Sequence, residues 1–138
     1  MNAYVDSSVV LRMVLGQPDR LVEWRRITRG VASGLIEVEG LRTIDRLCAS
    51  GQLSIEDAVV RRETAFRILD GIDLIDVTPA VLRRAAQPMP TPLGTLVAIH
   101  LATAELWREE RGGPLTFATH DRALALAARA SGFSVVGV

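Results

Sequence analysis

The sequence predicts an α/β fold in which helices cover both faces of a mostly parallel central sheet. Short apolar, strand-like segments alternate with helical patterns along the chain, and several helices carry clear start or stop residues. Strands separated by helices are joined by right-handed crossovers, which place a parallel sheet between two helical layers. With 138 residues, 49% of them apolar, the chain is expected to form one domain over residues 1–138.

The first half of the chain is predicted to hold two strands and four helical segments. In chain order they are a strand over residues 3–5, a helix from Ser7, a helix over about 19–29, a short strand over 31–33, a helix over 35–48 and a helix over 55–69. A capping box at Ser54 and Asp57 begins the last helix. Its large side chains fall on one stripe: Ile55, Val59, Arg62, Phe66 and Leu69.

The second half is predicted to hold three strands and three helices. Residues 72–77 form a strand, and Thr78 and Pro79 then supply an N-cap and a first-turn proline for the next helix. The remaining elements, after a proline-containing loop over 87–93, are a helix over 95–111, a strand over 115–118, a helix over 121–131 and a strand over 133–138.

Composition limits the possible chemistry and location. All 16 basic residues are arginines, so a mechanism that needs a lysine is excluded. Five arginines against two acids between residues 7 and 30 form either a patch that attracts phosphate or a solvated helix face. The single cysteine, Cys48, cannot form an internal disulfide, which favours a reducing cytoplasm. No apolar run reaches membrane-spanning length, so no membrane association is expected.

Two acids, Asp6 and Asp121, fall where a predicted strand ends and a helix begins. In parallel sheets, chemistry collects at the carboxyl ends of strands, so these residues are candidate site residues. Each is also a favourable helix N-cap, and that interpretation stays open. Glu39 lies inside a predicted helix, where an exposed ion pair with Arg42 is the alternative to a functional role.

The sequences around these acids resemble PIN-domain nucleases, especially the VapC toxins of toxin–antitoxin pairs. The opening Tyr4-Val5-Asp6-Ser7-Ser8-Val9 resembles the family's first motif. Glu39, followed three residues later by Arg42, resembles the second. Residues 93–104 are very similar to the third motif and residues 116–122 to the fourth, in family order and spacing. The resemblance implies a three-layer PIN-like fold and a Mg²⁺- or Mn²⁺-dependent endoribonuclease that cuts structured RNA of the tRNA or rRNA class.

The resemblance also implies a role for each candidate residue. Asp6 is expected to bind the metal directly, Asp121 to complete the ligand set, and Glu39 to orient metal-bound water. Ser7 and Thr119 are expected to hydrogen-bond near the metal or to serve only as helix-start residues, and Arg42 is an auxiliary residue.

One position departs from the family pattern. Val97 stands directly before Ala98-Ile99-His100, where the third motif carries an aspartate ligand. The sequence therefore predicts a site that is one carboxylate short, with weaker metal binding. Two interpretations remain: an endoribonuclease with reduced or lost activity, and a catalytically inactive PIN-like module that binds RNA or protein. His100 is predicted to pack within its helix beside Leu96 and Leu101 rather than to act as a base.

Partners follow from the same resemblance. A cognate antitoxin is expected to cross the helices and place an arginine in the acidic site, and a homodimer is also expected. The apolar side chains of the first helical region fit either that interface or the core: Leu11, Val14, Leu15, Leu21 and Trp24.

Two other classes with acids at strand ends are excluded. A phospho-receiver domain needs a lysine, which this chain lacks, and a haloacid-dehalogenase-like phosphatase needs Asp-x-Asp, whereas Asp6 is followed by two serines.

Overall fold

The computed structural model describes all 138 residues and shows a five-stranded, wholly parallel sheet with six α-helices. The strands are β1 (Asn2–Val5), β2 (Arg29–Ser33), β3 (Ile72–Ile75), β4 (Thr116–Ala118) and β5 (Ser134–Val136). The helices are α1 (Ser7–Val14), α2 (Leu35–Ala49), α3 (Ile55–Asp70), α4 (Pro79–Ala85), α5 (Thr95–Arg111) and α6 (Arg122–Ala130). The spatial strand order is β3-β2-β1-β4-β5, so the predicted α/β class is confirmed.

Alternation along the central strands builds a separate core on each face of the sheet. In β1, Ala3 and Val5 join the cluster formed with α1, α2 and α3, whereas Tyr4 joins the cluster formed with α5 and α6. All three side chains are fully buried. Because successive strand residues point to opposite faces, this pattern requires helices on both sides. The predicted three-layer arrangement is therefore confirmed.

The N-caps predicted at Ser54 and Thr78 are confirmed, although no bond from the Asp57 side chain back to the Ser54 N–H completes the predicted capping box. Ser54 Oγ accepts a hydrogen bond from the Asp57 N–H at 3.0 Å and begins α3. Thr78 Oγ1 accepts one from the Val81 N–H at 3.2 Å, with Pro79 in the first turn of α4. These side-chain acceptors satisfy N–H groups that have no partner within the helix.

The helix predicted over residues 19–29 is wrong in type and extent. The structure has only a 3₁₀ turn over Val22–Arg26, and Arg29 already belongs to β2. Positive φ angles at Gly16 and Asp19, on either side of Pro18, break the chain direction before that turn. None of the five residues in the turn is buried, so nothing holds it as a regular helix. Leu21, which is buried, anchors the segment instead.

The large stripe of α3 lies mainly on the solvent side. Ile55 is 73% exposed, Val59 51% and Phe66 42%, whereas the small residues Ala58 and Ala65 are buried. Helix α3 therefore contacts the core through Ala58, Ala65 and Leu69 and leaves the rest of its large apolar stripe exposed. None of the helices combines the length and apolar character needed to cross a membrane.

Candidate active site

The candidate site begins with Asp6, the first residue after β1. Its backbone N–H donates to the carbonyl oxygen of Ala118 at the end of β4, with a length of 3.0 Å. Its side chain caps α1 by accepting from the Ser8 N–H at 3.4 Å. Asp6 is only 4% exposed. Since β1 and β4 are adjacent parallel strands, their carboxyl ends place this acid beside the residues that follow Ala118.

Three hydroxyl groups surround the Asp6 carboxylate. Ser8 Oγ donates to Oδ2 at 2.6 Å and Thr119 Oγ1 donates to the same oxygen at 2.8 Å. Ser7 Oγ donates to Oδ1 at 3.3 Å. Such donors offset the cost of burying a charged group. Oδ2 accepts the two short hydrogen bonds, whereas Oδ1 accepts only the long one. Oδ1 is therefore the oxygen that is more available to a further partner.

Thr119 connects Asp6 to Asp121. Its fully buried Oγ1 donates to Asp6 and accepts from the Asp121 N–H at 2.9 Å. Gly137 makes this packing possible, because a Cβ atom there would lie 2.4 Å from the carbonyl oxygen of Thr119. Asp121 Oδ1 caps α6 by accepting from the Leu124 N–H at 3.0 Å, whereas Oδ2 accepts no hydrogen bond from the protein. Asp121 is thus a helix cap that still has a free oxygen.

Glu39 reaches the site through His100. The two side chains are linked by a 2.6 Å contact between His100 Nε2 and Glu39 Oε1. The same nitrogen lies 4.0 Å from Asp6 Oδ1. His100 is 1% exposed, and Leu96, its predicted packing neighbour, is 50% exposed. His100 therefore does not simply pack within its own helix as predicted, because its ring contacts Glu39 of α2; it is a candidate site residue that the predicted ligand set left out.

Tyr4 holds the other side of the His100 ring. Its hydroxyl lies 2.8 Å from His100 Nδ1 and accepts a 3.1 Å hydrogen bond from the Ser33 N–H. Burial raises the pKa of Tyr4 well above its usual value, and the nearby charges of Asp6 and Glu39 raise it further. The Ser33 bond opposes this shift. Tyr4 therefore stays protonated in the folded chain.

Arg42 does not pair with Glu39. It forms an exposed 2.8 Å ion pair with Asp45 instead, so the predicted alternative role for Glu39 is wrong. Arg42 and Arg46 line a cleft of about 300 Å³ that also borders Glu39 and Ser7. The two cations thus lie on the Glu39 side of the candidate site.

Val97 lies one helical turn before His100, in the first turn of α5. It is partly buried and packs against the apolar cluster that contains Tyr4 and Leu101. Residues three apart on a helix lie on the same face, so a metal-ligating aspartate at position 97 would be presented beside His100. Valine offers no donor or acceptor there.

Comparison with known proteins identifies the family. The sequence model of the PIN domain family matches residues 3–130, which is most of the chain.

The chain belongs to the PIN-domain family.

Curated relatives place it among the VapC type. Ribonuclease VapC47 of Mycobacterium tuberculosis (strain CDC 1551 / Oshkosh) is 30% identical over 137 residues, covering 94% of this chain and 92% of that protein. Ribonuclease VapC46 of M. tuberculosis (strain ATCC 25618 / H37Rv) is 29% identical over 136 residues, covering 96% and 95%. Both matches run over nearly the whole chain, so they include the carboxylate region as well as the sheet.

Solved structures agree on the fold. A toxin–antitoxin complex from Klebsiella pneumoniae superposes with a TM-score of 0.65 at 16% identity, covering 90% of this chain and 91% of that one. PAE2754 from Pyrobaculum aerophilum gives a TM-score of 0.65 at 15% identity, covering 98% and 83%. At this identity the likeness shows a shared PIN fold.

The free carboxylate oxygens of this PIN domain are of the kind that a hard divalent ion prefers. No three of its His, Cys, Asp and Glu residues stand together as a group that could hold a metal ion. The structure does not bring the three predicted acids into such a group, and their metal roles stay predictions. Asp6 Oδ1 and Asp121 Oδ2 are oxygen donors with free lone pairs. Mg²⁺ is commonly held by one or two carboxylates, several waters and substrate phosphates.

The shifted pKa of Tyr4 gives a test of this PIN-domain site. In the unfolded chain a tyrosine ionises near pH 10, whereas burial holds the folded hydroxyl protonated. The unfolded state therefore releases this proton first, and stability present below about pH 10 is lost as the pH rises above it. Tyr4 is the single tyrosine, so we expect no tyrosinate absorbance until the protein unfolds.

Near-ultraviolet absorbance and circular dichroism, recorded together during an alkaline titration, check this expectation. Tyr4→Phe serves as the control and should lose the part of the alkaline stability decline that this residue causes. A tyrosinate signal that rises near pH 10 while the circular dichroism stays native would contradict it.

Proposed function

We propose that the chain is the toxin of a toxin–antitoxin pair, a Mg²⁺- or Mn²⁺-dependent endoribonuclease that cuts structured RNA of the tRNA or rRNA class in the bacterial cytoplasm. The observation that carries the proposal is the buried Asp6 carboxylate, which is joined to Asp121 through Thr119 and lies 4.0 Å from the His100 nitrogen that contacts Glu39. Family membership and relatives named as ribonucleases support it. Val97 makes the site weaker than that of a chain with a full carboxylate set.

The role of each carboxylate follows from which of its oxygen atoms is free of strong hydrogen bonds from the protein. Asp6 through Oδ1 and Asp121 through Oδ2 would be the direct oxygen ligands of the ion, since neither atom is saturated by protein donors. Glu39 keeps Oε2 free, because His100 contacts only Oε1, and this oxygen would be available to orient a water at the site. Ser7 and Thr119 fix the Asp6 carboxylate. When bound, the ion supplies an activated water and neutralises charge on the phosphate.

The cleft beside Glu39 provides the contact for the RNA backbone. Arg42 and Arg46 line it, and guanidinium groups match phosphate oxygens in geometry as well as charge. The chain has no net charge, so RNA affinity depends on this local pair rather than on a broad basic surface. Binding of RNA at this cleft places a phosphate close to Glu39.

The same cleft fits the antitoxin. Four of its lining side chains are apolar, and two of them are half exposed: Leu11, Leu35, Val38 and Leu96. An antitoxin segment with apolar side chains and one arginine would cover these residues and bring its cation to the carboxylates. We retain a homodimer as part of the proposal, on the basis of the family alone.

A catalytically inactive PIN-like module that binds RNA or protein is the second candidate. Two observations favour it: Val97 removes a carboxylate, and no three ligating side chains form a group that could hold a metal ion. This module would keep the arginine-lined cleft and its binding partners but would not cut RNA.

Cleavage of folded RNA by the purified chain separates the two candidates. We expect slow cutting with Mn²⁺ or Mg²⁺ that stops on chelation, together with a stable complex when the chain is co-expressed with the small protein encoded beside it. Binding of RNA with no cleavage at any metal concentration supports the inactive module. Failure to bind either RNA or the neighbouring protein contradicts both candidates.

A further inference from the structure

We infer that His100 is a positioning residue that holds Glu39 over the site and is itself oriented by Tyr4; this inference deepens the proposed function and rests on it. Four groups form one continuous chain of contacts. The Ser33 N–H donates to the Tyr4 hydroxyl at 3.1 Å, the hydroxyl lies 2.8 Å from His100 Nδ1, and His100 Nε2 lies 2.6 Å from Glu39 Oε1.

These contacts define which atom carries the hydrogen in each of the hydrogen bonds between Ser33 and Glu39. An ionised Glu39 can only accept, so His100 Nε2 carries the hydrogen that the 2.6 Å contact uses. Tyr4 already accepts from Ser33, and its own hydrogen then points to Nδ1. Ser33, Tyr4 and His100 thus each donate to the next group, and Glu39 accepts the last hydrogen bond. The imidazole ring is fixed at both nitrogens and cannot flip without breaking two hydrogen bonds.

Burial makes this arrangement rigid. Tyr4 is 0% exposed and His100 1%, whereas the Glu39 side chain is 21% exposed. The rigid pair lies on β1 and α5, while Glu39 projects from α2 on a long, flexible side chain. Holding one carboxylate oxygen removes much of the rotamer freedom that a glutamate otherwise keeps. The other oxygen, Oε2, remains free to orient water.

The position of His100 links this role to the missing carboxylate. His100 and Val97 share a face of α5, so both are presented to the same site. His100 Nε2 lies 4.0 Å from Asp6 Oδ1 and 2.6 Å from Glu39 Oε1. The one hydrogen on Nε2 points to Glu39, and Asp6 Oδ1, at 4.0 Å, is a close neighbour that is not hydrogen-bonded to it. His100 therefore keeps Glu39 near Asp6 even though position 97 contributes no ligand.

Two substitutions separate this role from simple packing. In His100→Gln, the side-chain amide nitrogen takes the position of the histidine Nε2. This variant therefore keeps a donor to Glu39 but loses the contact with Tyr4. The amide group of Asn overlies Nδ1, so His100→Asn keeps the Tyr4 contact and loses Glu39. His100→Gln leaves the buried Tyr4 hydroxyl without an acceptor, whereas His100→Asn leaves a partly exposed Glu39 carboxylate that water can reach, so a melting curve for each variant separates lost stability from lost activity.

The expected kinetic result distinguishes the two variants. His100→Gln should cleave RNA within about threefold of the parent, whereas His100→Asn should lose about 10- to 100-fold in kcat with little change in KM. In a Glu39→Gln background, His100→Asn should cause no further loss, because both changes act through the same carboxylate. Equal losses in Gln and Asn, or a further loss in that background, would overturn the inference.

A ¹⁵N NMR spectrum tests the chain of hydrogen bonds from Ser33 to Glu39 without measuring RNA cleavage. The chain has only two histidines, and His120 Nδ1 lies 2.7 Å from the carbonyl oxygen of Gly137, which can only accept. The ¹⁵N spectrum should show His100 protonated at Nε2 and His120 at Nδ1, and Glu39→Gln should shift only His100. A His100 ring without a proton on Nε2 would contradict the proposed hydrogen bond from His100 to Glu39. A correct spectrum without cleavage, in both the parent and Val97→Asp, contradicts the proposed function alone.

Discussion

Val97→Asp is expected to bind Mg²⁺ or Mn²⁺ at least about tenfold more tightly than the parent and to cleave folded RNA faster by a similar or larger factor. The substitution adds an oxygen ligand on the face of α5 that already presents His100 to Glu39 and Asp6. Valine and aspartate are similar in volume, so the packing against the Tyr4 cluster should persist.

The metal-free stability of this variant depends on two opposing effects. A carboxylate at position 97 meets apolar neighbours and adds charge to an acidic site, which lowers stability. The first turn of α5, however, has no acidic residue and no side-chain cap, so an acid there gains about 0.3–1 kcal/mol from the helix N-terminus. We expect a small net loss without metal and a gain with it, because an ion that binds only the folded state stabilises that state.

Metal titrations followed by melting curves, together with RNA cleavage assays, measure these changes. Val97→Asn is the matched control, because it has the shape of aspartate without its charge and should gain neither metal affinity nor activity. Val97→Asp should also slow growth when expressed without an antitoxin, and adding Asp6→Ala should remove all of these gains. Equal metal affinity and equal cleavage in Val97→Asp and the parent would show that position 97 is not a ligand position.

Much of the fold follows from local sequence signals. Ser54 and Thr78 mark helix starts because a short polar side chain before an apolar pattern can satisfy free N–H groups. The buried triplet Ala3-Tyr4-Val5 is apolar throughout because a central parallel strand is covered on both faces. The segment over residues 19–29 could not be predicted as well, since its conformation depends on positive φ angles and on one buried anchor, Leu21.

The candidate site was only partly predictable for a similar reason. Asp6 and Asp121 follow strands, and the rule about carboxyl ends of parallel strands is enough to select them. The role of His100 depends on contacts with Tyr4 and Glu39, which are 96 and 61 residues away along the chain. No local pattern reports such contacts. One signal was available: His100 lies three residues after position 97, on the face that carries the expected ligand.

Asp6→Asn is expected to abolish detectable cleavage, with a loss greater than about 100-fold, and to leave the fold intact. Asparagine can retain an oxygen toward Ser8 and Thr119, and it is a favourable N-cap for α1. It also removes a buried charge beside Glu39 and Asp121. The melting temperature should therefore stay within a few degrees of the parent.

Asp6→Ala provides the contrast that separates chemistry from folding. Alanine removes the cap of α1 and the acceptor for the Ser8 and Thr119 hydroxyls, which should cost about 1–3 kcal/mol of unfolding free energy. Both variants should lose cleavage and metal-induced stabilisation alike, because neither retains the carboxylate. If Asp6→Asn still cut RNA near the parent rate, the buried carboxylate would be a structural cap alone. The cleaving group would then have to lie elsewhere on the chain.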